Sequence, residues 1–296
     1  MISTAASTRT TAAPQAIVVY AEDANGTPHY TNENVSVSLA SSSTAVGTID
    51  SATVVIPLLT QSNSNARFTP VSAGTTQLTA SDVRVQGYHY NAATQNVAVN
   101  TPTLSLSWST ANLGIGQYDD QAVQAPDNQV APRTVSLAHL NSASTTSATV
   151  IIPANIYYTT VRVTGASTGT DTITASTAGH NPVKGAVVVG LGRVDTPSGW
   201  PSTLSLTGTD SVLVTMYARD QTGSSVHYVA AATTFTLTGS ANVGFSSGTA
   251  AITSVTIPAN AQYVQFYVKG LTAGTSSVTI TNANYTTYSP SITVTP

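Results

Sequence analysis

Thr149-Val150-Ile151-Ile152-Pro153 is the stretch that decides the fold, because the chain repeats it on either side. Its counterparts are residues 53–57, Thr-Val-Val-Ile-Pro, and residues 254–258, Ser-Val-Thr-Ile-Pro. The prolines of the three copies lie 96 and 105 positions apart. A period of about 100 residues predicts three modules, each of the size of an ordinary domain.

Each copy is followed, 16 or 17 residues after its proline, by the glycine of a Gly-Thr turn, at Gly74, Gly169 and Gly274. The segment before the last turn alternates, with Phe266 and Val268 separated by a residue of the opposite face. Period-2 alternation predicts strands with one buried face, and turn signals every ~8–12 residues are typical of a two-sheet sandwich. Helical periodicity is absent from the sequence, so an all-β fold is predicted.

Composition excludes several functions. Charged residues make up 7% of the chain, against about 25% in a typical soluble protein. The nine basic residues are scattered and the net charge is −3, which gives no footprint for nucleic acid. No apolar run approaches the ~20 residues of a membrane span. Cysteine is absent, which excludes disulfides and thiolate metal sites.

The order of these motifs resembles bacterial immunoglobulin-like repeats of invasin- and intimin-type surface proteins. The motifs are Ile-Pro-Ala, an alternating strand, a Gly-Thr turn, a Gly-Tyr or Asn-Tyr corner and a final Val-rich strand. The resemblance implies three tandem immunoglobulin-like β-sandwich domains in an elongated array. We expect them at residues 1–100, 101–197 and 198–296. Residues 3–15 are expected to lack an apolar opening strand, and residues 119–132 are expected to form an insertion.

One stretch matches a catalytic motif. Residues 165–169, Gly-Ala-Ser-Thr-Gly, fit the Gly-x-Ser-x-Gly elbow of serine hydrolases. The same place in the other copies reads Pro-Val-Ser-Ala-Gly at residues 70–74 and Gly-Leu-Thr-Ala-Gly at residues 270–274. A turn that needs glycine explains all three copies. We therefore predict no catalytic residue and no enzyme activity.

Acidic residues offer a calcium alternative to the prediction that the chain has no cofactor. Oxygen ligands for Ca²⁺ could come from Glu22 and Asp23 in the first repeat and from Asp119 and Asp120 in the second. Neither cluster has an established ligand spacing, and hairpin-turn chemistry explains residues 23–26 without a metal. The equivalent residues His29 and His227 are expected to serve packing or strand pairing, since further metal ligands are missing around them.

Aromatic residues are the candidates for a binding surface, because exposed rings stack on sugars or anchor protein interfaces. The candidates are Tyr157, Tyr158, Tyr263, Tyr267, Trp108 and Trp200. The alternative for the tyrosines is that they simply suit a pleated sheet. Trp200, which lies between two repeats, is alternatively expected to pack at a domain junction.

The sequence thus predicts a non-enzymatic structural protein of the cell exterior that forms a filament, stalk or adhesin rod. The expected partners are other copies of the chain or neighbouring immunoglobulin-like domains in a fibre. The alternative is an adhesion module that binds a glycan or a surface protein through exposed tyrosine faces.

Overall fold

A computed structural model describes residues 1–85, 87, 89–196, 199–206, 211–248 and 250–296. Throughout this described part the regular structure is β-strand. No helix within it is long and apolar enough to cross a membrane. Strands and turns therefore carry all the features described below.

The first sandwich faces two sheets against each other, with strand orders β1-β3-β7-β5 and β2-β9-β8-β4-β6. Between them lie Ile17, Phe68 and Leu78, which have no solvent exposure. The strands are β1 (Ile2–Ser3), β2 (Ser7–Arg9), β3 (Gln15–Tyr20), β4 (Val35–Ser41), β5 (Gly47–Ile49), β6 (Thr53–Ile56), β7 (Ser62–Pro70), β8 (Gly74–Asp82) and β9 (Ala93–Asn100).

The second sandwich repeats this arrangement, with strand orders β10-β12-β16-β14 and β11-β18-β17-β13-β15. Its core includes Leu113, Ile152 and Ile173. The strands are β10 (Ser105–Leu106), β11 (Thr110–Gly114), β12 (Gln117–Gln124), β13 (Arg133–His139), β14 (Ser144–Thr145), β15 (Thr149–Ile152), β16 (Tyr158–Gly165), β17 (Gly169–Ser176) and β18 (Val183–Gly190).

The third sandwich sets the sheet β19-β21-β26-β24 against two three-stranded sheets, β20-β29-β27 and β25-β23-β28. Phe235 and Phe266 lie in its core. The strands are β19 (Arg193–Asp195), β20 (Thr203–Ser205), β21 (Ser211–Arg219), β22 (Tyr228–Val229), β23 (Thr233–Thr238), β24 (Val243–Ser246), β25 (Ser254–Ile257), β26 (Tyr263–Gly270), β27 (Gly274–Ser277), β28 (Thr279–Thr281) and β29 (Ser291–Thr295).

The opening segment of each sandwich divides between its two layers. A first short strand pairs antiparallel with one sheet, and a second pairs parallel with the last strand of the opposite layer, as β2 does with β9. Two packed antiparallel layers with this connectivity are immunoglobulin-like, so the predicted all-β, immunoglobulin-like fold class is confirmed.

Residues 3–15 contain an opening strand, β2, but it is not an apolar one. β2 pairs with β9 through its backbone and turns Thr8, instead of a large apolar residue, into the interior. Just before it, the side-chain amide of Gln95 donates to the Thr4 carbonyl and accepts from the Thr4 N–H. Backbone pairing and one bridging amide thus hold a strand that hydrophobic patterning does not reveal.

The expected insertion at residues 119–132 is corrected by the structure. Asp119 and Asp120 lie inside β12, paired with Val163 and Arg162 of β16. The connection from β12 to β13 is shorter than its counterparts after β3 and β21. Polar residues such as aspartate have low β propensity, so this acidic part of a strand resembles a loop in sequence.

Two compact units make up the chain. One comprises Met1–Thr103 with Ala178–Asn181, and the other comprises Leu104–Thr177 with Pro182–Pro296. The second unit holds the hydrophobic clusters of both the second and the third sandwich. The domain boundaries predicted at residues 100 and 197 stay predictions.

Candidate functional site

The predicted contact tyrosines occur in two ring pairs. Tyr157 and Tyr158 have centroids 5.1 Å apart, and Tyr263 lies 5.2 Å from Tyr217 of the neighbouring strand. Tyr157, Tyr158 and Tyr263 are exposed, whereas Tyr267 is half-buried. Tyr158 and Tyr263 each begin the same strand of their sandwich and are equivalent, whereas their ring partners, Tyr157 and Tyr217, are not.

The two tryptophans lie elsewhere. Trp108 is buried in the core of the second sandwich, where a Cβ atom at Gly185 would stand 2.5 Å from its indole nitrogen. Trp200 packs beside the core of the third sandwich, with its ring centroid 6.3 Å from that of Phe266 and 6.4 Å from that of Tyr288. Trp108 is therefore not a surface residue, and Trp200 covers the third core.

The four acidic calcium candidates have protein partners. Asp23 accepts hydrogen bonds from the backbone N–H groups of Asn25 and Thr27, and the Thr27 bond lowers the pKa of Asp23 most. Glu22 lies 3.4 Å from the terminal amino group. No group of three or more His, Asp or Glu side chains suited to a metal occurs among the described residues.

The other two calcium candidates lie on neighbouring positions of β12. Asp119 accepts a hydrogen bond from the Gln121 side chain, and Asp120 pairs with Arg162 at 3.1 Å. Neighbouring strand positions point to opposite faces of a sheet, so these two carboxylates diverge instead of sharing one ion.

The two equivalent histidines each face an aspartate of the preceding turn. His29 lies 3.1 Å from Asp23, and His227 lies 4.0 Å from Asp220. His29 is largely exposed, whereas burial lowers the pKa of His227 against the opposing effect of nearby carboxylates. The His29 ring is within hydrogen-bond distance of its aspartate, whereas the His227 ring is not.

The second glycine of the hydrolase-like stretch, Gly169, lies in a turn. Gly169 has a φ of 146°, and its counterparts Gly74 and Gly274 have φ values of 151° and 140°. L side chains rarely adopt such values, which explains glycine at all three places. The stretch joins two β-strands, β16 and β17, and so lacks the strand-to-helix elbow of a hydrolase.

The most extensive polar site joins the second and third sandwiches within the second unit. Here β22 pairs antiparallel with the first two residues of β12, Gln117 with Val229 and Tyr118 with Tyr228. The Ala230 N–H donates to the Gly116 carbonyl at 2.8 Å. A sheet of the second sandwich thus continues into a strand of the third. We call this region the seam.

Aromatic and cationic groups cover the seam. The rings of Tyr118 and Tyr228 are stacked, with centroids 5.5 Å apart and planes at 18°. The guanidinium carbon of Arg162 lies 3.6 Å from the centroid of the Tyr118 ring, a cation–π contact. The Tyr118 hydroxyl donates to the Asn260 side-chain oxygen at 3.0 Å. Four side chains from the two sandwiches therefore form one connected cluster.

Gln117 lies at the centre of the seam with no solvent exposure. Its side-chain oxygen accepts from the Gly114 N–H at 2.8 Å. Its nitrogen donates to the Arg219 carbonyl at 2.7 Å and to the Tyr285 hydroxyl at 3.1 Å. Burial raises the pKa of Tyr285, so this hydroxyl stays neutral in the seam. One amide therefore bridges both sandwiches.

Gly192 allows the chain to pass through the seam. A Cβ atom at this position would stand 2.7 Å from the ring of Tyr285 and 3.0 Å from the Gln117 nitrogen. Larger residues would push these two side chains apart, so the close approach of the linker requires glycine.

A second buried polar site lies inside the second sandwich. Asp171 has no solvent exposure and receives hydrogen bonds from the His139 ring at 2.6 Å and the Ser144 hydroxyl at 2.7 Å. The other nitrogen of His139 lies 2.8 Å from the Thr146 hydroxyl. A hydroxyl, a histidine and an aspartate in this order resemble a hydrolase triad. The Thr146 hydroxyl, however, donates to the Ser147 carbonyl, so it holds the loop.

The same position is polar and buried in all three sandwiches, at Thr76, Asp171 and Ser276. Each lies two residues after the turn glycine. Its side chain accepts a hydrogen bond from the segment just after the neighbouring strand, for example from Ser43 after β4 and from Ser240 after β23. Sequence analysis missed this position, although comparing the three copies offset by offset would have shown it. Gln117 gave no such signal.

No protein-family model matches the chain, and no curated protein matches it. Similar solved structures include the D0-D1 domain of intimin (15% identity, TM-score 0.26, covering 65% of this chain and 97% of that chain). Domains 4-9 of surface layer protein SbsC match at 17% identity and a TM-score of 0.31, over 96% of this chain and 43% of that chain. A glycosyl hydrolase family 2 member from Bacteroides cellulosilyticus matches at 13% identity and a TM-score of 0.28, over 64% of this chain and 24% of that chain.

These neighbours include surface-protein domains of the type that the sequence resembles. This chain spans less than half of the SbsC structure and about a quarter of the hydrolase. TM-scores near 0.3 carry no argument about activity. The seam and the tyrosine pairs are therefore the observations on which function must rest.

Proposed function

We propose that this chain is a non-enzymatic structural protein of the cell exterior, in which immunoglobulin-like sandwiches form part of a filament, stalk or adhesin rod. The seam is the observation that supports this role most directly. A flexible linker alone would leave consecutive sandwiches free to swivel. Shared strand pairing and the buried Gln117 bridge instead resist bending and pulling between the second and third sandwiches.

Composition is consistent with life outside a cell. Nine Lys and Arg residues in 296 leave few cleavage sites for trypsin-like proteases. The low charge removes long-range repulsion between neighbouring chains, which favours close assembly. The Asp171 group, the triad-like arrangement closest to a catalytic site, is engaged in holding a loop, and we expect no catalysis from it.

The test is to pull on single molecules across the seam. Since the chain has no cysteine, Thr103→Cys and Pro296→Cys provide unique attachment points. We expect no lengthening at low force before a sandwich unfolds. Gln117→Ala should add an early lengthening step, because it leaves the Gly114 N–H unpaired, at about 1–3 kcal/mol, and removes the side-chain bridge to the Arg219 carbonyl.

Gln265→Ala is the matched control, since Gln265 is exposed and its side chain donates to Thr215 on the surface. This variant should behave as the unchanged chain does. A wild-type chain that lengthens at low force, or a Gln117→Ala chain that does not, contradicts the structural role assigned to the seam.

The exposed tyrosine pairs favour a second candidate function, binding of a glycan or a surface protein. Two rings with centroids about 5 Å apart offer apolar faces beside hydroxyl groups. If this function holds, the chain binds members of a glycan array, and Tyr158→Ala with Tyr263→Ala lowers that binding at least tenfold. Tyr90→Ala, which removes another exposed tyrosine, is the control. An array without hits, or binding retained in the double variant, removes this candidate.

A further inference from the structure

We propose that the first sandwich of one chain docks on the third sandwich of a second copy, head to tail, through a face built on Tyr30 and Leu59. This inference extends the proposed structural function, since it supplies a contact between successive chains. It is based on the seam, where the equivalent residues of the third sandwich are already docked.

The face around Tyr30 has the same backbone construction as the docked face around Tyr228. In the first sandwich the Leu59 N–H donates to the Thr31 carbonyl at 2.9 Å, and in the third the Asn260 N–H donates to the Val229 carbonyl at 2.8 Å. Leu59 and Asn260 also share a positive φ of 61°. Tyr30 is therefore equivalent to Tyr228, and Leu59 is equivalent to Asn260.

The two equivalent faces differ in their surroundings. Tyr228 is stacked on Tyr118, and Asn260 accepts a hydrogen bond from the same tyrosine. Tyr30 and Leu59 are each 70% exposed, and the neighbouring Leu58 is 50% exposed. A tyrosine beside two exposed leucines forms an apolar patch, which in soluble proteins often marks an interaction site.

In the seam, the Tyr228 face docks on the start of β12 and the neighbouring strand β16. The equivalent strands of the third sandwich are β21 and β26. Asp119 pairs with Val163 as Val212 pairs with Val268. Val163 is therefore equivalent to Val268, and the preceding residues, Arg162 and Tyr267, are equivalent to each other. Tyr118, which pairs with Thr164, is equivalent to Ser211, which pairs with Lys269.

The chemistry of the two ends changes together. In the seam, the position held by Arg162 meets the position held by Asn260, two polar groups 3.5 Å apart. In the proposed contact the same positions carry Tyr267 and Leu59, both with apolar surface. Val212 adds further exposed apolar surface on the side of the third sandwich. A second copy of this chain therefore offers the match that the Tyr30 face needs.

The experiment measures self-association of the full chain by sedimentation velocity over a range of concentrations. We expect dimers and longer species. Tyr30→Ala and Tyr267→Ala should each raise the dissociation constant at least tenfold, since buried aromatic anchors dominate interface energies. Leu140→Ala, which removes an exposed apolar side chain of the second sandwich outside both faces, should leave association unchanged. Thermal unfolding of each variant checks that it remains folded.

Mixing the two variants sharpens the test. A chain with Tyr30→Ala retains an intact third-sandwich end, and a chain with Tyr267→Ala retains an intact Tyr30 face. The mixture should form 1:1 dimers and no longer species. A wild-type chain that stays monomeric, or association that Tyr30→Ala alone abolishes without rescue by mixing, overturns the proposal. Pulling across the seam tests the structural function independently, because it uses single molecules.

Discussion

Asp171→Ala is expected to lower the free energy of unfolding by about 3–5 kcal/mol, the cost of removing one partner from a buried, charge-assisted network. The Asp171 carboxylate is fully buried and accepts from the backbone N–H groups of Leu140 and Asn141, both at 3.1 Å, as well as from His139 and Ser144. The Thr172 N–H donates to the same carboxylate at 2.7 Å, and alanine removes the acceptor that these five donors share. Chemical denaturation of the full chain measures the effect.

Asp120→Ala is the matched control, because Asp120 is an exposed carboxylate in an ion pair with Arg162. Exposed pairs contribute about 0–1 kcal/mol. A loss in Asp171→Ala no larger than in Asp120→Ala contradicts the structural role of the network.

The same carboxylate gives the stability a defined pH dependence. Burial alone would raise the pKa of Asp171, but the hydrogen bonds from His139, Ser144 and the backbone outweigh burial and lower it to about 2. An unfolded aspartate titrates near ~3.9. Because the pKa is lower in the folded state, the stabilisation is complete above the unfolded pKa and is lost as pH falls toward about 2. We expect the unchanged chain to lose about 2–3 kcal/mol more between pH 5 and pH 2 than Asp171→Asn does, since other aspartates with a lowered pKa, such as Asp82, titrate in both.

Phe266→Ala is expected to cost a further large amount, about 3–5 kcal/mol, because it opens a cavity in a close-packed core. Phe266 is buried between Trp200 and Phe245, with ring centroids 6.3 and 6.2 Å away. The fluorescence of Trp200 should also shift toward that of a solvated indole, since its packing partner is lost. Denaturant unfolding followed by fluorescence measures both effects.

Lys269→Ala, three positions along the same strand and exposed, is the control and should change the stability by less than ~0.5 kcal/mol. If the free energy of unfolding of Phe266→Ala lies within 1 kcal/mol of that of the control, Phe266 is not part of the core of the third sandwich.

Strand alternation was sufficient to predict the fold class. Phe266 and Val268 are buried as their spacing predicts, and the three Ile-Pro stretches each end a short strand in the same place of a sandwich. These predictions succeed because burial of alternate side chains determines which face of a strand turns inward. Comparison of the repeats also identified the Gly169 turn, because the equivalent stretches that end at Gly74 and Gly274 lack the Gly-x-Ser-x-Gly motif but keep the turn glycine.

The features that the sequence pattern did not reveal have a common physical origin. β2 is held by backbone pairing and by the Gln95 amide, and β12 starts with Gln117 and continues through Asp119 and Asp120. Neither strand shows an apolar pattern. Polar contacts and a partner sandwich stabilise these strands, whereas burial of apolar side chains stabilises most others. The seam occurs once among the described contacts, so repetition did not reveal it. Trp108 shows the converse error, a large aromatic expected outside that fills a core.

The short pairing between β22 and β12 also bears on misfolding. β10 covers one end of β12 at Leu106 and Val123, and β22 covers the other end at Gln117 and Tyr118. When the third sandwich unfolds, that second end becomes an open sheet edge with unsatisfied amides, which templates pairing with foreign strands. We therefore expect unfolding of the third sandwich to leave its neighbour with an exposed strand edge that favours aggregation.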